Sequence, residues 1–546
     1  MALDRKQKAF RYFPVMPFDA NNVNFEQAIV RFLVLLHTKG KVIAKTNKDT
    51  LYPENLVEIL KDSNEKFEGI DDAIRERLMK NWIASDFATT VIEGRGRKGK
   101  TRISNLKPLH LSTIKLLDPR IRSQDRDVSI FLYNVFKGTA VASDKDFLMA
   151  YLLEGTKRFG EYDLVVDETK FDQLDIETQF LLRLLENFKI DKPSTRSNLV
   201  QDYQFICEAQ KNQILFDTLK LLVYKNSVPR RELFSYLTII LNFHTALFAM
   251  KTFQQINALV EKQKVRCSQC KTIRTEKDFS KLGACDFQPK IFVDLTLAQD
   301  AICDRLSKQS LEKNYNEMYR YFKSHYKLVK LSEFAKTQGN PNPTLEQLIE
   351  YAKNANVDGF FNYKLADIVN DEDLKDDPDI QEILKLNISP LDKYVEILCN
   401  DKSNWKNLIT RHKKLMSGLC NMNKDEGFLQ GGRGKKRKYV LGNLLLEVLV
   451  QLAVVDAKTK NGQLVPFTKP ITIMSFVEWL KNRYGIYINE WPYGSDSPEI
   501  AKALNNNYEA LKNRLRQLGF YTDLSDASNS QVIKPRFKIE PELQHV

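Results

Sequence analysis

The run Glu232 to Met250, ELFSYLTIILNFHTALFAM, is apolar on nearly every side of the helix that its length and spacing predict. A helix without a polar face has to be enclosed by other elements, so the chain needs a core built around it. Shorter runs with helical spacing recur: FEQAIVRFLVLLHTKG (25–40), IDDAIRERLMKNWIAS (70–85), ETQFLLRLLENFKI, NQILFDTLKLLVY and LGNLLLEVLVQLAVV (441–455). The last is too short for a bilayer and the first is broken by polar residues, so both are expected as buried helices and no membrane role follows. YDLVVDETKF (162–171) is the one passage of the first half that reads as a short strand. The fold class is therefore mainly α, a multidomain helical protein. Length alone predicts about two to four domains. Changes of texture divide the 546 residues into a helical segment with a basic loop (1–150), a helical segment (151–260), a cysteine-containing insert (261–304), a helical segment (305–420) and a C-terminal domain (421–546).

Hydrophobic residues make up 43% and charged residues 28% of the chain, the make-up of a folded protein and not of a disordered one. The 83 Lys and Arg exceed the 70 Asp and Glu by 13, which permits a polyanionic partner without requiring one. Seven cysteines, an odd and thinly spread set, argue against a disulfide framework and for a reducing cytoplasm. The N-terminal MALDRKQKAFRYFPVMPFD has no apolar core of the secretory type.

The C-terminal domain carries the most specific architectural signal. LGNLLLEVLVQLAVV and ITIMSFVEWLKNRYG are followed by SPEIAKALNNN, read as a short helix capped by Ser497, then by YEALKNRLRQLGF and two extended arms around a polar turn, YTDLSDASNSQVIKPRFKI. Helices followed by a terminal hairpin predict a winged helix-turn-helix. Its recognition helix would present Asn506, Asn507, Asn513 and Arg516 to base edges of double-stranded DNA, and Lys512 and Arg514 to phosphates. Lys534 and Arg536 on the second wing arm would approach the adjacent backbone. Winged units also serve as protein adaptors, and Leu511, Leu515 and Leu518 are core residues under either reading.

Two basic glycine-containing runs precede apolar sequence: IEGRGRKGKTRISNL with Arg95, Arg97, Lys98, Lys100 and Arg102, and GGRGKKRKYVL with Arg433, Lys435, Lys436, Arg437 and Lys438. Glycines let a loop follow a phosphate backbone closely, while the side chains supply charge without base specificity. Residues Gly94 to Thr101 also fit GxxxxGKT, but Arg-Gly-Arg-Lys inside the cradle and Pro108 soon after it argue against a nucleotide-binding loop. The second run lacks that pattern altogether. Both are read as phosphate grips.

Cys267 and Cys270 form a CxxC knuckle, and with Cys285 and Cys303 they make a candidate set of four thiolates for a structural zinc; the split second half weakens it, and Cys303 reads equally as a core residue. Asp163, Asp167, Glu168 and Lys170 faintly resemble the carboxylate-plus-lysine arrangement of metal-dependent nucleases. The acidic run NDEDLKDDPDIQE (370–382) lacks the framing glycine of a calcium loop and reads as a solvated face. No residue is assigned a catalytic role.

GGRGKKRKYVLGNLLLEVLVQLAVV, FVEWLKNRYGIYI and the terminal hairpin resemble the C-terminal part of accessory, DNA-binding subunits encoded in bacterial anti-phage defence clusters, over the last quarter of the chain. The resemblance implies a DNA-sensing or scaffolding subunit of an antiviral defence system, working beside partner proteins that carry the chemistry. The expectation is a non-catalytic DNA-binding and scaffolding component, with a protein-protein adaptor or a metal-dependent nuclease as alternatives.

Overall fold

The computed structural model describes residues 7–42, 74, 77, 81, 88–92, 102–106, 109–115, 125–137, 142–186, 198–262, 285–371, 374, 376–432, 437–460, 463–494, 497–521 and 532–540. The helix expected at 70–85 lies largely outside them. The chain is mainly helical and divides into two compact units, one formed by Val23–Asp202 with Leu215–Ile240 and the other by Met1–Asn22, Tyr203–Ile214 and Leu241–Val546.

In the first of these units, α1 (Phe25–His37) starts where the Asn24 side chain accepts a hydrogen bond from the Gln27 amide. It ends where Lys39 and Gly40 enter the left-handed region and the Gly40 amide reaches the Leu35 carbonyl. Its buried face, including Ile29, Phe32, Leu33 and Leu36, meets α2 (Val128–Phe136) with Phe32 and Phe136 in ring contact at 5.3 Å. Between these helices β1 (Ala88–Ile92) and β2 (Arg102–Leu106) form an antiparallel pair. Helix α3 (Ala142–Leu152) leads to the hairpin of β3 (Thr156–Phe159) and β4 (Asp163–Val166), which turns at Gly160, and then to α4 (Glu168–Phe171) and α5 (Ile176–Leu185). The strand expected within 162–171 is thus β4, with the short α4 following it.

Two long helices contribute residues to both units, α6 (Glu208–Leu222) and α7 (Arg230–Lys262). The apolar run 232–250 lies in α7 and is buried almost throughout. Among the described residues α7 is the one helix long and apolar enough to cross a membrane, and most of that stretch is covered by protein.

The second unit is organised along α8 (Ala301–Thr337), whose N-terminus is capped by the Asp300 carboxylate accepting from the Ile302 and Cys303 amides. Against its middle, Phe10 packs among Tyr321, Phe322, His325, Tyr326 and His412, and the Phe10 carbonyl meets His325 Nε2 at 2.5 Å. A helical array follows: α9 (Leu345–Tyr351), α10 (Ala355–Val369), α11 (Pro378–Lys385), α12 (Pro390–Asn400) and α13 (Lys402–Leu419). Strand β5 (Ile291–Phe292) precedes α8. After the array come the antiparallel strands β6 (Leu429–Gln430) and β7 (Lys438–Tyr439).

The C-terminal elements run α14 (Asn443–Ala453), β8 (Val455–Lys460), β9 (Gln463–Thr468), β10 (Ile471–Thr472), α15 (Ile473–Tyr484), β11 (Ile486–Tyr487), α16 (Pro498–Gln517) and β12 (Val532–Ile533). Strand β12 pairs antiparallel with β10, the Lys534 amide reaches the Phe520 carbonyl, and the Thr468 amide reaches the Ile539 carbonyl. Strand β11 pairs in parallel with β5, a close approach that needs glycine at 485: a Cβ there would lie 2.0 Å from the Pro289 carbonyl oxygen. Two local expectations change. SPEIAKALNNN and YEALKNRLRQ are one continuous helix, because Asn505 to Asn507 stay helical and the Asn507 amide bonds to other segments instead of to its own backbone. The hairpin β8–β9 stands between the first two helices, where no strand was expected.

Candidate nucleic-acid interface

Both basic runs connect the strands of two-stranded antiparallel hairpins. In the first, Ile92 pairs with Arg102, so residues 93–101 join β1 to β2; in the second, Gln430 pairs with Lys438, so 431–437 join β6 to β7. Arg95, Arg97, Lys98 and Lys100 lie outside the described residues, as do Arg433, Lys435 and Lys436. Arg102 opens strand β2.

The root of the second hairpin is held firmly. Leu429 and Tyr439 face each other and are buried, with Tyr439 stacked on Phe428 at 6.1 Å. Gly431 exchanges hydrogen bonds with the Asn423 amide, donating to Oδ1 at 2.8 Å and accepting from Nδ2 at 3.1 Å. Arg437 donates to the Gly432 carbonyl and to Ser417 Oγ. Lys438 turns inward: its Nζ donates to Asp294 Oδ2 at 2.7 Å and Asp304 Oδ1 at 2.8 Å. Only 8% of its side chain is exposed, and none of that of Asp294. Burial opposes the ammonium charge, but the two carboxylates outweigh it and raise the pKa of Lys438. Asp294 also accepts from Thr296 and from the Ala298 amide, so this buried charge is fully hydrogen-bonded. Lys438 therefore fixes the hairpin, and its ammonium is not offered to solvent.

Helix α16 separates its expected contact residues into two sets. Asn506, Asn513 and Arg516 are exposed, and helical spacing brings them to one face. Asn506 donates to Asp300, and Arg516 to Asn513 Oδ1. Lys512 is partly buried, with its ammonium on Glu509 and near the Tyr508 ring. Asn507 and Arg514 point inward. The Asn507 amide is fully buried, accepting from the Leu295 amide at 2.7 Å and donating to the Val293 and Ile488 carbonyls. Arg514 donates to the Leu441 carbonyl, and burial lowers its pKa.

After β12 the chain bends at Arg536–Phe537, with Lys534, Arg536 and Lys538 exposed and Pro535, Phe537 and Ile539 more covered between them. The Arg536 guanidinium lies over Phe520 and bonds to Glu447 and the Leu518 carbonyl. Lys538 was missed in the sequence, although alternation from Lys534 marks it as the next outward position.

Cys267 and Cys270 lie outside the described residues. Cys285 is partly exposed, and burial raises its pKa. Cys303 belongs to an apolar cluster with Phe292, Leu306 and Ala503, and its thiol donates to the Ala503 carbonyl at 3.1 Å. In the carboxylate group, both oxygens of Glu168 accept from Arg183 at 2.8 Å, while Asp167 caps α4 through Thr169. Among the described residues no group of three or more His, Cys, Asp or Glu side chains is placed to hold a metal ion.

Residues 5–537 match the family described as methylation-associated defense system protein MAD7. The chain belongs to this family. No curated protein and no solved structure matches it. The MAD7 match takes in both basic hairpins, α8 and the C-terminal elements, so the defence-system relationship extends over nearly the whole chain and not the last quarter alone. Membership of the MAD7 family makes the chain a defence-system component.

Proposed function

We propose that this chain is a non-catalytic component of a methylation-associated defence system that binds double-stranded DNA and holds partner proteins of the same system. The observation that carries the reading is the placing of each Gly-Arg-Gly run between paired antiparallel strands, one hairpin in each compact unit. A connection rich in Lys, Arg and Gly suits a phosphate backbone. The order α14, β8–β9, β10, α15, β11, α16, β12, with β12 returning to β10, contains the three helices and the late strand of a C-terminal winged helix and supports that reading. In it Asn506, Asn513 and Arg516 face outward on the recognition helix, and Lys534, Arg536 and Lys538 line the wing. Asn507, Arg514 and Lys438 hold these parts in place.

The test is binding of a fluorescently labelled duplex to the full chain and to two variants, Arg95→Gln/Arg97→Gln/Lys98→Gln and Arg433→Gln/Lys435→Gln/Lys436→Gln. Each variant is expected to bind at least tenfold more weakly at 0.1 M salt. Equal binding by parent and both variants would remove the hairpins from the interface.

The adaptor reading draws on one observation: Asn506 and Arg536 already bond to carboxylates of their own chain, Asp300 and Glu447. A stoichiometric complex with a partner protein in the absence of DNA, together with no duplex binding at low salt, would favour it. A structural zinc on Cys267, Cys270, Cys285 and Cys303 is a separate part of the proposal, tested by metal analysis of the purified chain with about one equivalent expected.

A further inference from the structure

A cleft of about 600 Å³ opens between the C-terminal end of α7, the segment 286–290, the middle of α8 and Tyr493, all within the second unit. Its size is that of a small-molecule site. Four cations line it, but they differ in how they are compensated. Arg320 is matched by Glu261 and Glu317, and the Asn257 amide in turn holds Glu317. Lys262, Lys290 and Lys313 are exposed and have no carboxylate partner among the described residues; Asp286 is the cleft's remaining acid.

Two of these lysines share one aromatic neighbour. The Lys313 ammonium lies 4.4 Å and that of Lys290 5.4 Å from the centroid of the Tyr493 ring, and Lys290 also donates to the Pro492 carbonyl. The root of Lys290 is fixed as well, since its carbonyl accepts from Asn314 and Ser310 of α8. The ring attracts each ammonium, and an anion beside it would draw on both charges. Along the same cleft the Gln254 and Asn316 amides have no partner among the described residues. An amide offers a donor and an acceptor together, the pattern that matches a nucleobase edge.

We propose that this cleft binds a nucleotide, its phosphate between Lys290 and Lys313 and its base against the Gln254 and Asn316 amides. The ligand is either a free mononucleotide or a nucleotide of a single strand; both present the same phosphate and base. The cleft contains neither basic hairpin, so the inference does not depend on the duplex reading.

The experiment titrates the full chain with a fluorescent derivative of AMP and, separately, with labelled 5′-phosphorylated dT8, at 0.1 M salt. Unlabelled AMP and adenosine serve as competitors, and the variant Lys290→Gln/Lys313→Gln is run beside the parent. The proposal expects at least one probe to bind, displacement by AMP but not by adenosine, and a loss of tenfold or more in the variant. Binding of the AMP probe alone identifies a free nucleotide as the ligand, and tighter binding of dT8 identifies a strand. Failure of both probes to bind, displacement by adenosine as effective as by AMP, or undiminished binding by the variant would overturn it. Duplex binding by the same variant is expected to equal that of the parent, so failure at the cleft and failure at the hairpins are read separately.

Discussion

Lys436 and Lys438 stand two residues apart in one basic run, yet Lys438 is a buried partner of Asp294 and Asp304. A charge run read as letters does not reveal which members a strand turns inward, because that depends on the register of β6 against β7. Removing one member of a buried, hydrogen-bonded ion pair leaves the other charge uncompensated. Lys438→Met is accordingly expected to destabilise the chain by about 3 kcal/mol in urea unfolding. A loss below about 1 kcal/mol would mean that the pair is not buried as described. The asparagines of α16 divide in the same way. Asn507→Ala abandons three buried hydrogen bonds and is expected to cost about 3 kcal/mol of stability. Asn513→Ala, on the exposed face, is expected to change stability by less than about 0.5 kcal/mol while weakening duplex binding. In the sequence Asn506 and Asn507 looked alike as contacts; only the phase of the helix tells which one is inside.

Among the elements, helical periodicity was legible for α1, α5, α6 and α15, where apolar residues recur at the spacing of one buried face, while the near-continuous apolar runs of α7 and α14 marked these as enclosed helices. The hairpin β8–β9 was not anticipated, although Asn461-Gly462 between alternating arms is a recognised hairpin signal. Packing of α8, α13 and the N-terminal segment has a consequence for pH. Burial pulls the pKa of His325 down to about 4 and that of His412 down to about 3. The unfolded chain takes up these protons near pH 6.5. Between that pH and about 4 the unfolded state therefore binds more protons than the fold, and stability falls as the pH is lowered, by up to about 1.4 kcal/mol per pH unit for each histidine. Urea unfolding at pH 7, 6 and 5 is expected to show a loss of about 2 kcal/mol or more by pH 5. A flat profile would mean that neither histidine is held neutral.

For the whole molecule, charge and family point the same way: an excess of 13 positive charges, two basic hairpins and membership of a defence-system family over residues 5–537. The defence-system relationship was expected from a resemblance read in the last quarter of the sequence, but the family match is not confined to it. Its extent was not legible, because the first three quarters contain helices without a diagnostic motif. The division into two interleaved units was likewise invisible, since it depends on where α6 and α7 pass and not on any linker composition. In the proposed function the two hairpins act together on one duplex. The most direct measurement of this is the dependence of duplex affinity on salt, plotted logarithmically, for the parent and for a variant neutralised at Arg95, Arg97, Lys98, Arg433, Lys435 and Lys436. Each phosphate contact contributes a slope of about −0.9. Joint binding gives a steep parent slope of about −5 or beyond, flattening by about 4 or more in the variant; an unchanged slope, or no duplex binding by the parent at low salt, would show that the hairpins do not grip DNA together.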